Sequence, residues 1–476
     1  MTYYKFLVLP FGLTSAPYVF TKVTRQLVKY WRYKGYRIVT FLDDGILSSD
    51  SMANTTIIGN AVKQDLIKSG FLPKSEKSLW APCQVMEWLG LIIDTKCMKL
   101  SIPRRKVDRR GIDKLHQSII PLLKGSGIVP VRKVASVVGQ VISMSLVVGS
   151  VAQLMTRALS MQTVSITSWN EFVVLTQYSK HQLEFWLHEI NKYTERIWCD
   201  QSIVTRVVYS DASSVGYGGY CVQFGEEQSH GQWSVEEAAL SSTHRELKAV
   251  YMVLQSFLPL LKSHRIKWFS DNKNVESIVA KGSMKSGLQS IAMDIFNLCL
   301  QGQIQFEMQW IPRSENERSD YLSKLVDTDD WGISDFVYQH IQSMWGPYDI
   351  DVFASYYNNK VARFDSRYWN PGSCGVDAFT MSWSEGNNWI VPPVYLISRS
   401  LRQLRMCQGR ATLIVPVWYS ATFWPLLCPR GEFVSQVKEV VYLPTYKDAY
   451  VPSRQSNGVF GVYDLNFNMM AIRVQF

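Results

Sequence analysis

The sequence predicts a multidomain α/β chain, and three observations carry that expectation. At roughly 150 residues per domain, 476 residues make about three domains. Strand-like and helix-like periods alternate over 1–100 and again over 203–326, with a mostly helical stretch between. Apolar residues make up 47% and aromatic residues 13%, enough to fill packed cores and to exclude wholesale disorder.

The opening MTYYKFLVLPFGL has no basic leader, and Pro10 and Gly12 cut its short apolar run, so no secretory signal is expected. From Ser15 to Tyr33 a helical period places Val19, Val23, Leu27 and Tyr30 on one face. RIVTFLDDGILSS reads as strand, tight turn and strand, because Asp-Gly between apolar runs is a strong hairpin signal. A polar helix reaching Gly70 and a strand or strand pair in EWLGLIID follow. Residues 101–200 read as mostly helical and open on Arg104, Arg105, Lys106, Arg109 and Arg110.

Within that stretch Val134 to Thr156 carries no charge and is long enough to span a bilayer. Gln140, Ser143, Ser145, Ser150 and Gln153 recur through it, which favours buried helices over a membrane span. Residues 203–326 alternate again, with strands at RVVYSD, GYCVQF, IKWFSD and IQFEMQWI. Over 331–476 the composition shifts: seven of the sixteen Trp lie here, with Pro-Gly punctuation and strands such as ATLIVPVW, which sets this region apart.

Fifty Lys and Arg against forty Asp and Glu give a net charge of +10, a balance that suits nucleic acid or an acidic membrane surface. The eight Cys are scattered, without CxxC or metal-ligand spacing. This excludes a disulfide scaffold and structural zinc, and points to a reducing compartment.

Four acids stand out in 203–326. Asp211 ends one apolar strand (VVYSDAS) and Asp271 a second (KWFSDN); Glu246 begins a helix (STHRELKAV) and Asp320 opens a last one (NERSDYLSK). Acids at strand ends and helix starts converge on one edge of a sheet, and four such carboxylates repel one another unless cations neutralise them. A Mg2+ or Mn2+ pair there would clamp the attacking and leaving oxygens of a phosphodiester displacement. Each acid also has a plain structural reading. Thr243-x-x-Glu246 and Ser314-x-x-Glu317 are capping-box patterns. Asp271-Asn272 and Asp211-Ala212-Ser213 are turn-forming. The four together, in this order and context, favour catalysis.

The arrangement resembles the type I ribonuclease H domain, through YSDAS, THRELKAV, FSDNK and NERSDYLSK over about 203–326. The resemblance implies cleavage of RNA in RNA/DNA hybrids. Cellular members carry a His before the last helix, where IPRSENERSD offers Arg313.

LPFGLTSAPYVFTKV resembles the reverse-transcriptase segment lying against template and nucleotide, where Gly12 would let the backbone approach the substrate. FLDDG resembles the paired-Asp hairpin of the polymerase palm, with Asp43 and Asp44 as metal ligands, and GFLPKSEKS and EWLGLIID resemble the elements after it. That mechanism needs a third Asp on an upstream strand, so a partial palm without polymerisation is expected from this sequence. Lys22, Arg25, Lys29 and Arg32, spaced i, i+3, i+7, i+10, share a helix face that suits phosphate contacts, as would Arg104, Arg105 and Arg109 in a thumb-like region.

In the tail, DIDVFASYYNNKVARF, VDAFTMSW, NNWIVPPVYLI and ATLIVPVWYSATFW resemble the adenine-methyltransferase-like region of DIRS-type, tyrosine-recombinase retrotransposons. Members carry Asn or Asp before Pro-Pro-aromatic, whereas this chain has Val391-Pro392-Pro393-Val394, which implies a degenerate site. Asn387 and Asn388 are expected to precede the strand and point elsewhere. The whole reads as a retrotransposon Pol fragment: a partial palm (1–100), a helical thumb or connection (101–200), a ribonuclease H-like domain (203–326) and a methyltransferase-like region (331–476). Its expected cofactor is Mg2+ or Mn2+, and its expected partner an RNA/DNA hybrid or single-stranded nucleic acid, with no membrane. The competing readings are a catalytically silent nucleic-acid-binding remnant and, if the sequence is a piece of a longer chain, part of an RNA-directed DNA polymerase.

Overall fold

The structure is a computed structural model that describes residues 9, 12–103, 112–125, 127–164, 166–198, 203–224, 227–454 and 458–476. The chain forms two units, one of 1–152 with 162–201 and one of 153–161 with 202–476. Both mix helix and sheet, so the chain is a multidomain α/β protein.

In the first unit, helix α1 (Ala16–Tyr33) starts with Pro17 in its first turn, where a missing N–H costs nothing. It packs Val28 and Trp31 against the hairpin β1 (Arg37–Phe41) and β2 (Asp44–Ser48) and against α2 (Met52–Lys68). The expected face is displaced: Val19, Val23 and Tyr30 are exposed, and only Leu27 of that set joins the cluster. Apolar residues wrap a wide arc of α1, and the Trp31 ring, whose Nε1 donates to Asp65 at 3.0 Å, fixes which part faces inward.

The hairpin turn also differs from expectation. Leu42 and Asp43 form it, with Leu42 at φ 53°, while Asp44 and Gly45 already belong to β2, paired with Phe41 and Thr40. This register pairs Ile38 with Leu47 and sets both in the cluster around Val28 and Trp31, so burial overrides the local Asp-Gly preference.

Strands β3 (Val85–Trp88), β4 (Leu91–Asp94) and β5 (Lys99–Ser101) form a sheet closed by β6 (Glu195–Ile197). Between β5 and β6 run the helices α3 (Ile112–Lys124), α4 (Val131–Ile142) and α5 (Gln177–Glu189). The uncharged run at 134–156 breaks after α4 into the short helices Ser145–Val148 and Val151–Leu154, with Gly149 at φ 82° between them. Among the described residues no helix is long and apolar enough to cross a membrane.

The second unit opens with β7 (Arg206–Ala212), β8 (Gly216–Cys221) and β9 (Gln228–Gln232), then helix α6 (Ser242–Ser256) and strand β10 (Arg265–Ser270). Helices α7 (Lys273–Lys281) and α8 (Ser286–Gln301), strand β11 (Gln305–Trp310) and helix α9 (Glu317–Ser323) complete this part. The sheet order is β9-β8-β7-β10-β11, antiparallel across β9, β8 and β7 and parallel across β7, β10 and β11. Four of these strands were expected, although the one expected at GYCVQF lies earlier, at Gly216–Cys221, with Val222–Phe224 in a 3-10 turn; the polar β9 was not expected.

Residues 331–476 build a second sheet. After α10 (Asp335–Trp345) come β12 (Ile350–Asp351), β13 (Asn387–Ile390), α11 (Ile397–Cys407), β14 (Arg410–Pro416), β15 (Val437–Leu443) and β16 (Met469–Gln475). The order is β12-β13-β14-β16-β15, and β12, β13 and β14 run parallel. Alternation along β14 sends Leu413 and Val415 toward α11 and Ile414 toward α10, giving a core on each sheet face. Asn387 and Asn388 lie inside β13, not before it; Asn388 donates to the Trp383 and Arg410 carbonyls because a buried amide must be paired.

This second sheet region covers the outer edge of β9. Trp369 donates its N–H to the Gln228 carbonyl at 2.9 Å, Ser229 Oγ donates to the Trp369 carbonyl at 2.9 Å, and Asn370 Nδ2 donates to the His230 carbonyl at 3.1 Å. Arg454 Nη1 donates to the Gln232 carbonyl at 3.0 Å.

Candidate functional site

Parallel pairing brings the first two acids together. Tyr209 of β7 stands beside Phe269 of β10, so two residues further on Asp211 and Asp271 emerge at the same carboxyl edge. Glu246 arrives from α6, which packs across β7 and β8; there an added Cβ on Gly219 would meet Val253 Cγ1 at 2.6 Å. Oxygens of Asp211, Glu246 and Asp271 all lie within 4.8 Å of one another. The donors are carboxylate oxygens alone, the set a hard divalent cation takes.

The electrostatics carry the cost of this meeting. Burial, with the nearby Asp271 and Asp320 charges, pushes Asp211 up to about 6, against a hydrogen bond from Ser323 that works the other way. Burial and the Asp211 and Asp271 charges push Glu246 well above the usual carboxylate range, against the nearby Ala212 backbone N–H, which works the other way. Asp271 is raised too, first by burial. Carboxyls held this way are groups that a cation would stabilise in their charged form.

Asp320, on α9, faces the same edge but is not in that close group. Arg313 Nη2 reaches its Oδ1 at 2.8 Å and Lys324 Nζ its Oδ2. Burial alone would raise it, and these two cations hold it below its ordinary range instead. Neither capping-box pattern forms. Ser241, not Thr243, caps α6, and Asn316, not Ser314, precedes α9. Glu246 is therefore free of a cap and available to the cluster.

In the first unit Asp43 and Asp44 are exposed at the hairpin tip, and no described third acid joins them in a ligand-spaced group. Gly12 is exposed at φ 86°, with nothing within 4 Å of an added Cβ. Lys22, Arg25, Lys29 and Arg32 are exposed along α1, and Arg32 donates to the Ile38 carbonyl. Arg104, Arg105 and Arg109 lie outside the described residues.

Sequence reasoning missed the supports of the acids. Ser323 Oγ donates to Asp211 Oδ2 at 2.8 Å, which needs α9 close to β8. An added Cβ on Gly218 would meet the Ser323 nitrogen at 2.4 Å, so only glycine admits that approach. Asn316 Nδ2 donates to the Ser210 carbonyl at 3.1 Å, and Trp310 Nε1 to the Asp271 carbonyl at 2.8 Å. The signal available was GYGGY, an unusual glycine density for a strand.

Residues 1–93 match the reverse transcriptase (RNA-dependent DNA polymerase) family. The chain thus carries a reverse-transcriptase-family segment, which includes α1, the Asp43–Asp44 hairpin and α2. No curated protein matches the chain. Among solved structures, it is similar to a foamy viral protease-reverse transcriptase in complex with double-stranded DNA, at 15% identity and a TM-score of 0.34, over 63% of this chain and 50% of that one. The chain therefore spans half the length of that relative. It is also similar to ribonuclease H1 from the halophilic archaeon Halobacterium salinarum, at 18% identity and a TM-score of 0.21, over 25% of this chain and 92% of that one. A third is the LC11 ribonuclease H1 in complex with an RNA/DNA hybrid, at 16% identity and a TM-score of 0.21, over 25% and 93%.

Proposed function

We propose that this chain is a retroelement-derived Pol protein, of the DIRS type by its motif set, whose residues 203–326 hydrolyse the RNA strand of RNA/DNA hybrids. The observation that carries the reading is the meeting of Asp211, Glu246 and Asp271 within 4.8 Å, three acids from two strands and a helix. Mg2+ or Mn2+ held there would supply the positive charge that stabilises the attacking and leaving oxygens of a phosphodiester displacement. The chain's own residues do the rest. Ser323 orients Asp211, and Trp310 fixes the backbone at Asp271. Arg313 and Lys324 pre-position Asp320 at the rim, from which it would close on the cluster. In the first unit, Asp43 and Asp44 are the polymerase-type acids, and Gly12 with the α1 cations, together with Arg104, Arg105 and Arg109, forms the nucleic-acid track. Residues 331–476 are a methyltransferase-like region that transfers no methyl group.

The test is cleavage of a labelled RNA/DNA hybrid in Mg2+ and in Mn2+. Asp271→Asn removes one charge while nearly keeping shape, and a loss of at least about a hundredfold in rate is expected with circular dichroism unchanged. Intact hybrid in both metals with wild-type protein sinks the hydrolase reading. One observation favours the silent-remnant alternative in that event, namely that Asp320 is already neutralised by Arg313 and Lys324.

A further inference from the structure

Helix α11 is polarised by charge. Its buried side, Ile397, Leu401 and Leu404, fills the core against β14. Its other side carries Arg399, Arg402 and Arg405, all exposed. No Asp or Glu occurs anywhere in 386–431, a stretch that holds five Arg. None of these three Arg has a carboxylate partner among the described residues; Arg399 instead stacks on the Phe379 ring at 3.8 Å. Like charges one turn apart destabilise a helix slightly, so an unneutralised row of three is an uncompensated cost in the free protein.

Aromatic rings stand at one end of that row. β13 and β14 are parallel, so the segments leaving them emerge at the same carboxyl edge. Tyr395 lies in the short turn Val394–Leu396 that leads from β13 into α11, and Tyr419 in the segment after β14. Ser398 Oγ and Thr422 Oγ1, 3.3 Å apart, tie that segment to the start of α11. Tyr395 is 61% and Tyr419 75% exposed, and Tyr419 is steadied edge-on against Trp424 at 4.9 Å.

We infer that Arg399, Arg402 and Arg405 of α11, with Tyr395 and Tyr419, bind single-stranded nucleic acid. From first to third the arginine row spans about 9 Å of helix, and three phosphates of a stacked strand span about 7 Å along its axis, a difference that long arginine side chains can bridge. The two rings offer faces on which bases of any sequence stack, and a duplex, whose bases are already stacked, cannot use them. An anionic membrane would meet the charge, but the exposed side of α11 offers it only Met406 as a large apolar anchor. The site rests on neither the carboxylate cluster nor the reverse-transcriptase segment.

The experiment uses the full chain without divalent metal and a fluorescein-labelled oligo-dT, with affinity read by anisotropy across a salt series. Replacing three phosphate contacts in the triple variant Arg399→Gln, Arg402→Gln, Arg405→Gln should flatten the log Kd against log salt slope by about 2, at ~0.7 per contact. Tyr395→Ala with Tyr419→Ala should weaken binding about 10- to 100-fold without changing the slope. Ultraviolet crosslinking of wild-type protein should map to peptides holding Tyr395 or Tyr419, a readout independent of how the variants fold. Unchanged slope and affinity in both variants, or crosslinks only elsewhere, would overturn the inference. So would variants that lose binding to phosphatidylserine vesicles while keeping oligo-dT binding.

Discussion

Gly218 illustrates how one residue controls the site at a distance. It holds α9 near enough to β8 for Ser323 to reach Asp211. Gly218→Ala places a methyl 2.4 Å from the Ser323 nitrogen and 2.5 Å from Leu322 Cβ, so α9 must shift. A loss of about 1–3 kcal/mol in urea unfolding is expected, with hybrid cleavage falling further than the residual stability explains. Asp351 gives a second residue-level expectation. Burial pushes its carboxyl up to about 7, with Lys360 and the Phe353 backbone N–H opposing, and its Oδ1 has no hydrogen-bond partner. A folded value above the unfolded one means the native state binds the extra proton. Its stabilising contribution is therefore present below about pH 4 and is lost as pH rises through 7, by at most about 4 kcal/mol. Asp351→Asn should be more stable than wild type at pH 8, and the difference should vanish at pH 4; equal stability at both refutes it. At this scale the places of the four acids at strand ends and in helices were legible as local patterns, whereas the standing of Asp320 apart from the other three was not. Ser323, Gly218 and Asn316 were not, since their roles exist only once α9 has packed on β8. The capping boxes failed for a related reason: Ser241, Ser242 and Thr243 are equivalent locally, and Arg245 donating to the Ala238 and Leu240 carbonyls ties down the turn ahead of the helix.

Elements show the same division between local pattern and tertiary choice. The period over Ser15 to Tyr33 gave a helix, and α1 is one, but the inward face is set by Trp31 rather than by Val19 and Val23. Trp31→Ala should therefore destabilise the first unit by about 3–5 kcal/mol, while Val23→Ala should stay within about 0.5 kcal/mol. Comparable losses from both, read by tryptophan-independent circular dichroism, would restore the face expected from sequence. Strand β9 was invisible because QSHGQ has no apolar alternation. Its Ser229 and His230 are nevertheless buried, since the neighbours that cover them are hydrogen-bonding groups and not an oily face. Polar sequence here records what packs on the strand.

For the whole molecule, the decisive contact is the one that closes β9. Open sheet edges invite pairing with other chains, and the segment around Trp369 and Asn370 occupies this one. A chain ending at residue 326 should expose the edge and self-associate, visible in sedimentation as species larger than the monomer, whereas the full chain should not associate through it. Monomeric, fully active 1–326 would contradict this. The connecting residues are themselves held: Ser453 donates to the Asp327 carbonyl at 2.7 Å, and Ser355, Tyr357 and Asn358 donate to Asp330.

That edge also limits how such a chain can be rearranged through descent. A breakpoint near residue 327 looks like a neutral seam, yet it would part the two halves of the bonds made by Ser229, Asn370 and Arg454. A foreign tail spliced there would have to reproduce a tryptophan backbone at one position and an amide and a guanidinium at two others. The β9 edge stays closed through such exchanges only if its cover is inherited with it.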